Sequence, residues 1–293
     1  MVGLGVSLTD AQWARIEPLL PDRSPKRGGR WRDHRHVIDA IAFTFQTGSQ
    51  WVHLRERFGN WRGVYNRLRM WAVDGTWERV FTALMAQADA DEDLNWAVSV
   101  DSTIVRAHQH ASGARKKGAP AGEPLDHAIG RSRGGLTTKI HLASDAHCRP
   151  LAFVLTAGQA GDAPAFPEVM AQLRVPRPRG RPRTRPDMVL ADKAYSSRAI
   201  REHLRKRGIR AVIPVPADQQ GHRLRRGSRG GRPPAFNREE YKQRNTVERC
   251  INRLKQWRGI ATRHEKTATI YLAGLHIAGN PAHTPDRPGS QTA

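Results

Sequence analysis

Apolar residues between positions 9 and about 90 recur every three or four residues, which is the spacing of amphipathic helices. Thr9 and Gln12 form a capping box, so a helix is predicted to begin there, and Pro21 is predicted to end it. A second helix is predicted over 34–46, ended by Gly48. This part of the chain is therefore predicted to be helical.

A helix, a glycine-containing turn and another helix are predicted over 51–73, with the turn at Gly59. This order is typical of a helix-turn-helix. In its second helix the apolar residues would pack inward and leave Arg62, Arg67 and Arg69 toward solvent, where they would meet a DNA groove. A plain helical bundle has the same pattern, so DNA reading and simple packing both remain open.

The periodicity changes after Trp96, where short apolar runs replace the helical spacing. One run is predicted to be a buried strand ending at Asp101, and a later run ends at Asp192 in the same way. Strands followed by alternating helices and strands predict a mixed α/β domain. A hairpin is also predicted, with strands over 137–143 and 151–156. A helix over 197–207 and a strand over 211–214 are predicted after it.

A helix predicted to begin at the cap Asn237 carries four polar residues on one face. With an advance of about 100° per residue, their side chains share a sector about 60° wide. An apolar stripe beside them would bury the helix. A carboxylate flanked by two cations suits metal-assisted attack on phosphate, although a solvated salt-bridge face has the same pattern. The polar residues are Tyr241, Arg244, Glu248 and Lys255, and the apolar stripe is Val247, Ile251 and Leu254.

The composition adds a strong charge imbalance, with 49 Lys and Arg against 27 Asp and Glu and a formal net charge of +22. Such an excess of cations favours a polyanionic partner, and arginine pairs well with phosphate oxygens, so double-stranded DNA is the predicted partner. Two Arg-dense stretches, 174–185 and 219–238, are predicted to be exposed loops that contact the phosphate backbone or are simply solvated.

The two cysteines, Cys148 and Cys250, provide no disulfide framework and no cysteine-based zinc site. No apolar run approaches the length of a membrane span, and the N-terminus lacks the charged and apolar regions of a signal peptide. The chain is therefore predicted to act in the cytoplasm, with neither a membrane nor a small-molecule substrate as its partner.

Three carboxylates are the candidates for chemistry, because Asp101 and Asp192 each end a predicted strand and Glu248 lies within a predicted helix. An acid at a strand end is often a turn residue, and this is the alternative for each aspartate alone. Together the three offer the oxygen ligands that Mg²⁺ prefers, and a pair of such ions promotes in-line displacement at phosphate. Arg244 and Lys255 would then hold the phosphodiester backbone.

These residues resemble the motifs of bacterial insertion-sequence transposases of the DDE type. The four polar residues of the helix are similar to the tyrosine-arginine-glutamate-lysine signature of that family. Residues 98–103 resemble the strand that carries the first catalytic aspartate, and 190–196 resemble the motif of the second. Residues 134–141 and 156–162 resemble intervening segments, and the N-terminal part resembles the domain that precedes the core in the insertion sequence five family.

The resemblance implies a ribonuclease H-like core, a mixed sheet with flanking helices that joins Asp101, Asp192 and Glu248 as catalytic residues and ligands of two Mg²⁺ or Mn²⁺ ions. Water would attack the phosphodiester at the end of the element, and the released 3′-hydroxyl would attack target DNA. A homodimer on paired DNA ends, near the bacterial nucleoid, is also implied. Tyr241 would be a backbone or packing contact, with a nucleophilic role as the alternative, and Lys193 would contact phosphate or solvent.

The predicted organisation is a helical DNA-binding domain over 1–92, a catalytic domain over 93–278 and a disordered tail over 279–293. The tail begins where Gly279 and Pro281 stop an apolar helix that looks longer in relatives. The predicted function is DNA transposition. The alternatives are a remnant that binds DNA without catalysis and a nuclease without strand transfer.

Overall fold

The computed structural model of the protein describes residues 7–24, 31–114 and 119–280. Its N-terminal part is helical, as predicted. Thr9 caps the first helix by accepting from the backbone N–H of Gln12, whose side chain accepts from the backbone of Thr9, so the capping box is confirmed. The N-terminal helices are α1 (Asp10–Ile16), α2 (His34–Thr47), α3 (Trp61–Val73) and α4 (Thr76–Ala90).

One half of the predicted helix-turn-helix differs in the structure. Residues 51–58 form two 3₁₀ turns joined by extended residues, and the helix predicted for them is wrong. Tertiary contacts explain the difference, because the indole of Trp51 donates to Glu265 at 3.1 Å and the ring of Phe58 lies 5.2 Å from that of Phe43. A helix this short has little stability of its own, so these side-chain contacts determine the backbone conformation.

A seven-stranded mixed sheet follows the helices. Its strands are β1 (Ala97–Ala107), β2 (Gly130–Ser132), β3 (Gly135–Ser144), β4 (Pro150–Ala157), β5 (Met188–Ala191), β6 (Arg210–Val212) and β7 (Thr262–Arg263). β1 pairs antiparallel with β3, which pairs antiparallel with β2 and β4. β1 also pairs parallel with β5 and β7, and β5 pairs parallel with β6. The predicted hairpin is confirmed as β3 and β4.

Helices flank this sheet. They are α5 (Gln109–Ser112), α6 (Asp162–Gln172), α7 (Arg198–Lys206), α8 (Ala217–Arg225), α9 (Arg238–Tyr241), α10 (Asn245–Lys255), α11 (Arg258–Ala261) and α12 (Ala268–Ala278). α10 packs on β1 and β3, and α6 packs on β3 and β4. A ribonuclease H-like mixed sheet with flanking helices, preceded by a helical region, is therefore confirmed as the fold class.

The helix with the polar stripe is interrupted. Asn237 caps α9 as predicted, accepting from the backbone N–H groups of Glu239 and Glu240. A 3₁₀ turn at Lys242–Arg244 then separates α9 from α10, so the single continuous helix is a wrong prediction. A 3₁₀ turn advances about 120° per residue, so its three steps add about 60° to the rotation between Tyr241 and α10. The apolar stripe is confirmed as buried, and it consists of Val247, Ile251 and Leu254.

The Arg-dense stretches differ from each other. Helix α8 includes the first part of the stretch 219–238, so the prediction of a loop throughout is wrong there. This helix begins directly after Pro216, a position where a missing backbone N–H costs nothing. The stretch 174–185 is irregular and largely exposed, as predicted, apart from an isolated bridge between Val175 and Arg183.

A continuous hydrophobic core joins the N-terminal helices to the end of the described chain. A Cβ atom at Gly274 of α12 would lie 2.4 Å from Cε1 of Phe45 in α2, so only glycine allows this approach. The division at residue 92 stays a prediction. Of the predicted tail, 281–293 lie outside the described residues. In the described part of the chain, every helix is too short or too polar to cross a bilayer.

Candidate active site

Asp101 lies within the central strand, and its predicted place at a strand end is wrong. The polar residues after it suggest the end of a strand, but β1 continues to Ala107 because it pairs with β3 from Ser99 to Arg106. Asp101 is opposite Leu142 in this pairing. Its Oδ1 accepts a hydrogen bond from the backbone N–H of Ser102 at 2.8 Å. The carboxylate therefore lies on the strand that pairs with β3, β5 and β7.

Asp192 directly follows β5, as predicted. Its Oδ1 accepts from the backbone N–H of Ala194 at 2.9 Å and so caps the turn that leaves the sheet. In the parallel pairing of β1 with β5, Val100 is opposite Ala191. The residues that follow them, Asp101 and Asp192, therefore occupy adjacent positions at this point of the sheet.

Arg244 connects the third carboxylate to the first. Its Nη1 donates to Oε1 of Glu248 at 2.6 Å, and its Nη2 donates to Oδ2 of Asp101 at 2.9 Å. The side chains of Arg244 and Asp101 are each 17% exposed, whereas that of Glu248 is 51% exposed. The structure thus brings three of the predicted site residues together. It shows the guanidinium on two carboxylates, and the predicted contact with phosphate stays a prediction.

The negative charges of the site are only partly compensated. Burial raises the pKa of Asp101 above its usual range, and the nearby Asp192 and Glu248 raise it further. The backbone N–H of Ser102 and the guanidinium of Arg244 oppose this rise. Since the net pKa is still raised, a further positive charge at the site would stabilise the ionised carboxylates.

The other residues of the predicted signature surround this centre. Tyr241 packs on the apolar residues between β1, β5 and β6, and its ring lies 5.3 Å from that of Phe236. Burial raises the pKa of Tyr241, which keeps the phenol neutral and makes it a poor nucleophile. Nζ of Lys255 donates to the backbone oxygen of Ile104 at 3.3 Å, and burial lowers its pKa. Lys193 is exposed beside Asp192.

Two family models match the chain. Residues 93–278 match the transposase DDE domain, and residues 8–81 match a family assigned as transposases of the IS4/5 type. The chain belongs to the DDE transposase family. The transposase is 33% identical over 165 residues to the protein assigned as the IS402 transposase of Burkholderia cepacia, covering 56% of this chain and 69% of that relative. It is 38% identical over 109 residues to protein y4sN of Sinorhizobium fredii, covering 37% and 83%.

Solved structures of transposases resemble the chain more distantly. The Mos1 strand transfer complex aligns with a TM-score of 0.26 and 14% identity, covering 88% of this chain and 79% of that one. The fold assignment therefore rests on the order and pairing of the transposase's own strands.

The carboxylates fit a divalent cation by their chemistry. In the described part of the transposase, no group of three or more His, Cys, Asp or Glu side chains is arranged to hold a metal ion. Arg244 uses one oxygen of Asp101 and one of Glu248, so a metal ion bound by those two oxygens would require its guanidinium to turn away. Mg²⁺ prefers carboxylate oxygens and keeps several waters. Burial, with smaller contributions from Asp192 and Glu248, raises the pKa of Asp101, and a bound cation would oppose that rise.

The three arginines of α3 do not behave alike. Arg62 and Arg69 are exposed as predicted, but the prediction that Arg67 faces solvent is wrong. Arg67 is 9% exposed, donates to Nδ1 of His34 at 2.9 Å and lies 4.1 Å from the ring centre of Trp31. Because the aromatic rings and the histidine offer a guanidinium partners within the fold, Arg67 supports the packing of the helices.

Four residues near the carboxylates have no assigned role in the sequence motifs. Ser102 and Tyr195 follow the two aspartates, and Lys139 and Asp162 come from the intervening segments of the family resemblance. Oγ of Ser102 donates to Oδ1 of Asp162 at 2.7 Å, and Nζ of Lys139 donates to the same oxygen at 3.0 Å. In the sequence, only the family resemblance of the segments that contain these residues marked them. That resemblance does not show which residues contact each other in the fold.

Proposed function

We propose that this chain is a DNA transposase of a bacterial insertion sequence that binds the terminal inverted repeats of its element and cuts and joins DNA at Asp101, Asp192 and Glu248. The observation that carries the proposal is the register of β1 and β5, which makes the two aspartates neighbours, together with the bond that ties Glu248 to Asp101 through Arg244. Membership of the DDE transposase family supports the same reaction.

Each residue has a defined task in this proposal. Asp101, Asp192 and Glu248 would hold two Mg²⁺ or Mn²⁺ ions, which supply an activated oxygen nucleophile and charge stabilisation at phosphate. Arg244 and Lys255 would hold the phosphodiester backbone next to the carboxylates, and both already lie within bonding distance of β1. Water attacks first and the released 3′-hydroxyl attacks second, so the protein forms no covalent intermediate.

The proposed partner is double-stranded DNA, both as element end and as target. The formal net charge of +22 attracts a polyanion, and the exposed Arg62, Arg69 and Lys193 would contact its backbone. A pair of element ends held by two copies of the chain would let each copy cut one end. We place this reaction at the bacterial nucleoid, where the substrate is.

A strand-transfer assay tests the proposal. Purified protein is mixed with Mg²⁺, a labelled DNA fragment that ends in the inverted repeat flanking the gene, and a supercoiled target plasmid. Joined products support transposition. Cleavage without joining supports a nuclease on the same fold, and DNA binding without either reaction supports a remnant that has lost catalysis.

A matched pair of variants assigns the reaction to the site. Asp101→Asn should abolish both cleavage and joining while sparing DNA binding, because one ligand of the proposed metal site is lost. Asp39→Asn is the control, since Asp39 is also a buried carboxylate with a raised pKa but lies in α2, where it accepts from the backbone of Leu8. Unchanged cleavage by the Asp101→Asn protein would refute the assignment of the site.

A further inference from the structure

A chain of hydrogen bonds runs through the sheet to Asp101 from the side opposite Glu248. Neighbouring residues of a strand point to opposite faces, so Ser102 faces away from the carboxylate of Asp101. On that face Oγ of Ser102 donates to Oδ1 of Asp162, the first residue of α6, at 2.7 Å. The backbone N–H of Ser102 donates to Asp101 at 2.8 Å. One serine therefore links Asp162 to a proposed catalytic carboxylate.

Lys139 fixes Asp162 from the neighbouring strand. Its Nζ donates to Oδ1 of Asp162 at 3.0 Å and to the backbone oxygen of Ala160 at 2.6 Å. The lysine side chain is 11% exposed and the aspartate 27% exposed. Although burial would raise the pKa of Asp162, the hydrogen bonds from Ser102 and Lys139 lower it, so the carboxylate is ionised. An ionised acceptor makes stronger hydrogen bonds than a neutral one.

Helix α6, which begins at Asp162, also contacts the turn after Asp192. Tyr195 is 1% exposed, and its ring lies 5.8 Å from that of Phe166 in α6. Tyr195 belongs to the 3₁₀ turn that Asp192 caps. Helix α6 therefore contacts one side chain close in sequence to each aspartate, the hydroxyl of Ser102 on β1 and the ring of Tyr195 after β5.

We infer that Asp162, held by Lys139, is a positioning residue that acts through Ser102 to fix the carboxylate of Asp101 for metal binding. This inference rests on the proposed function. Partners behind metal ligands orient them, and losing one typically costs ~10- to 100-fold in metal affinity. The competing explanation is purely structural, because an acid at the first residue of a helix also stabilises that helix.

Removal of a single hydroxyl separates these explanations. Ser102→Ala breaks the link and leaves Asp162 at the start of α6, whereas Ser102→Thr keeps a hydroxyl and should restore the link. Ser144→Ala is the matched control, since Ser144 is a buried serine of the same sheet whose hydroxyl forms no hydrogen bond with described residues. Asp162→Asn tests the acceptor itself.

The readout is Mn²⁺ binding without DNA, measured from the free-ion signal in electron paramagnetic resonance, and then the Mg²⁺ dependence of cleavage. Ser102→Ala and Asp162→Asn should each weaken Mn²⁺ binding about tenfold and raise the Mg²⁺ requirement equally. Ser102→Thr and Ser144→Ala should match the parent protein. Lower thermal stability with unchanged Mn²⁺ binding would overturn the inference and support the structural explanation.

Failure of the proposed function gives a different result. A parent protein that binds Mn²⁺ but does not cut DNA would refute the proposed catalysis, and the Mn²⁺ titrations would still decide the role of Asp162. A parent protein that neither binds Mn²⁺ nor cuts DNA would refute both. Cleavage that depends on Asp101 but is indifferent to Ser102 and Asp162 would refute the inference alone.

Discussion

The pair formed by Arg244 and Asp101 predicts a measurable coupling energy. Both side chains are 17% exposed and their atoms are 2.9 Å apart, so the pair is largely removed from water. A hydrogen bond to a charged group contributes about 1.5–3 kcal/mol, and breaking a fully buried ion pair costs about 3–5 kcal/mol. With the residual exposure, we expect about 2 kcal/mol of coupling. The pair with Glu248, which is 51% exposed, adds only about 0.3–0.5 kcal/mol.

A double-mutant cycle measures this coupling. Arg244→Met, Asp101→Asn and the combined variant are unfolded in urea at pH 8, and the midpoints and slopes give free energies of unfolding. Arg244→Met alone should destabilise the protein, because Asp101 keeps its charge without a partner. The combined variant should recover most of this loss, since neither charge of the pair remains. The exposed pair Arg198 and Glu202 serves as control, and its cycle should give no coupling above error.

The coupling should also depend on pH with a defined sign. The folded pKa of Asp101 is already above its usual value, and removal of Arg244 would raise it further. The folded Arg244→Met protein then binds a proton that the unfolded chain has released, so its stability falls as pH rises from about 4 through that raised pKa. The coupling should be full at pH 8 and small near pH 4. A coupling below about 0.5 kcal/mol at pH 8, or one independent of pH, would refute the described pairing.

Three further predictions concern the framework of the site. Gly274→Ala should destabilise the protein by about 1–3 kcal/mol in urea unfolding, because the new methyl group would collide with Phe45, and no loss would contradict that packing. Burial lowers the pKa of His276 to about 4, so the unfolded chain binds a proton at a higher pH than the folded protein, and folding stability falls between pH 6.5 and 4.5. The His276→Leu protein should lose about 2 kcal/mol less stability over this range than the parent protein. An unchanged dependence of stability on pH would contradict this. Arg67→Met should lower the free energy of unfolding by about 2 kcal/mol, whereas Arg69→Met should leave it unchanged and weaken DNA binding at low salt; the reverse pattern would contradict the burial of Arg67.

Structural features that depend on residues close together in the sequence were predicted correctly. The capping residues Thr9 and Asn237 begin helices as expected, and the apolar runs at β3 and β4 form the expected hairpin. Asp192 could be placed at a strand end because a short apolar run and a polar turn define both sides of it. The three carboxylates were candidates from their predicted places at strand ends and in a helix, and the family resemblance then joined them in one site.

Structural features that depend on contacts between residues far apart in the sequence were not predicted. β1 extends past Asp101 because β3 pairs with its polar half, and that pairing spans a long separation in sequence. No prediction from the sequence covers α6, which contains Pro164 and Pro167, residues that discourage a helix. Pro164 lies in the first turn, where no internal N–H bond is lost, and burial of apolar residues such as Phe166 holds the helix together.

The interruption before α10 lies between two parts of the signature segment that pack on different surfaces. Tyr241 packs on the apolar residues between β1, β5 and β6, while Val247 and its apolar neighbours bury α10 against β1 and β3. A continuous helix would have to satisfy both surfaces with one rotation. The 3₁₀ turn over Lys242–Arg244 lets each half adopt its own orientation. It ends at Arg244, so the guanidinium at the start of α10 reaches Glu248 one turn further on and Asp101 in β1 at the same time. The polar face therefore does not project into solvent as a row of surface ion pairs, because Arg244 binds Asp101 of the sheet as well as Glu248 of its own helix.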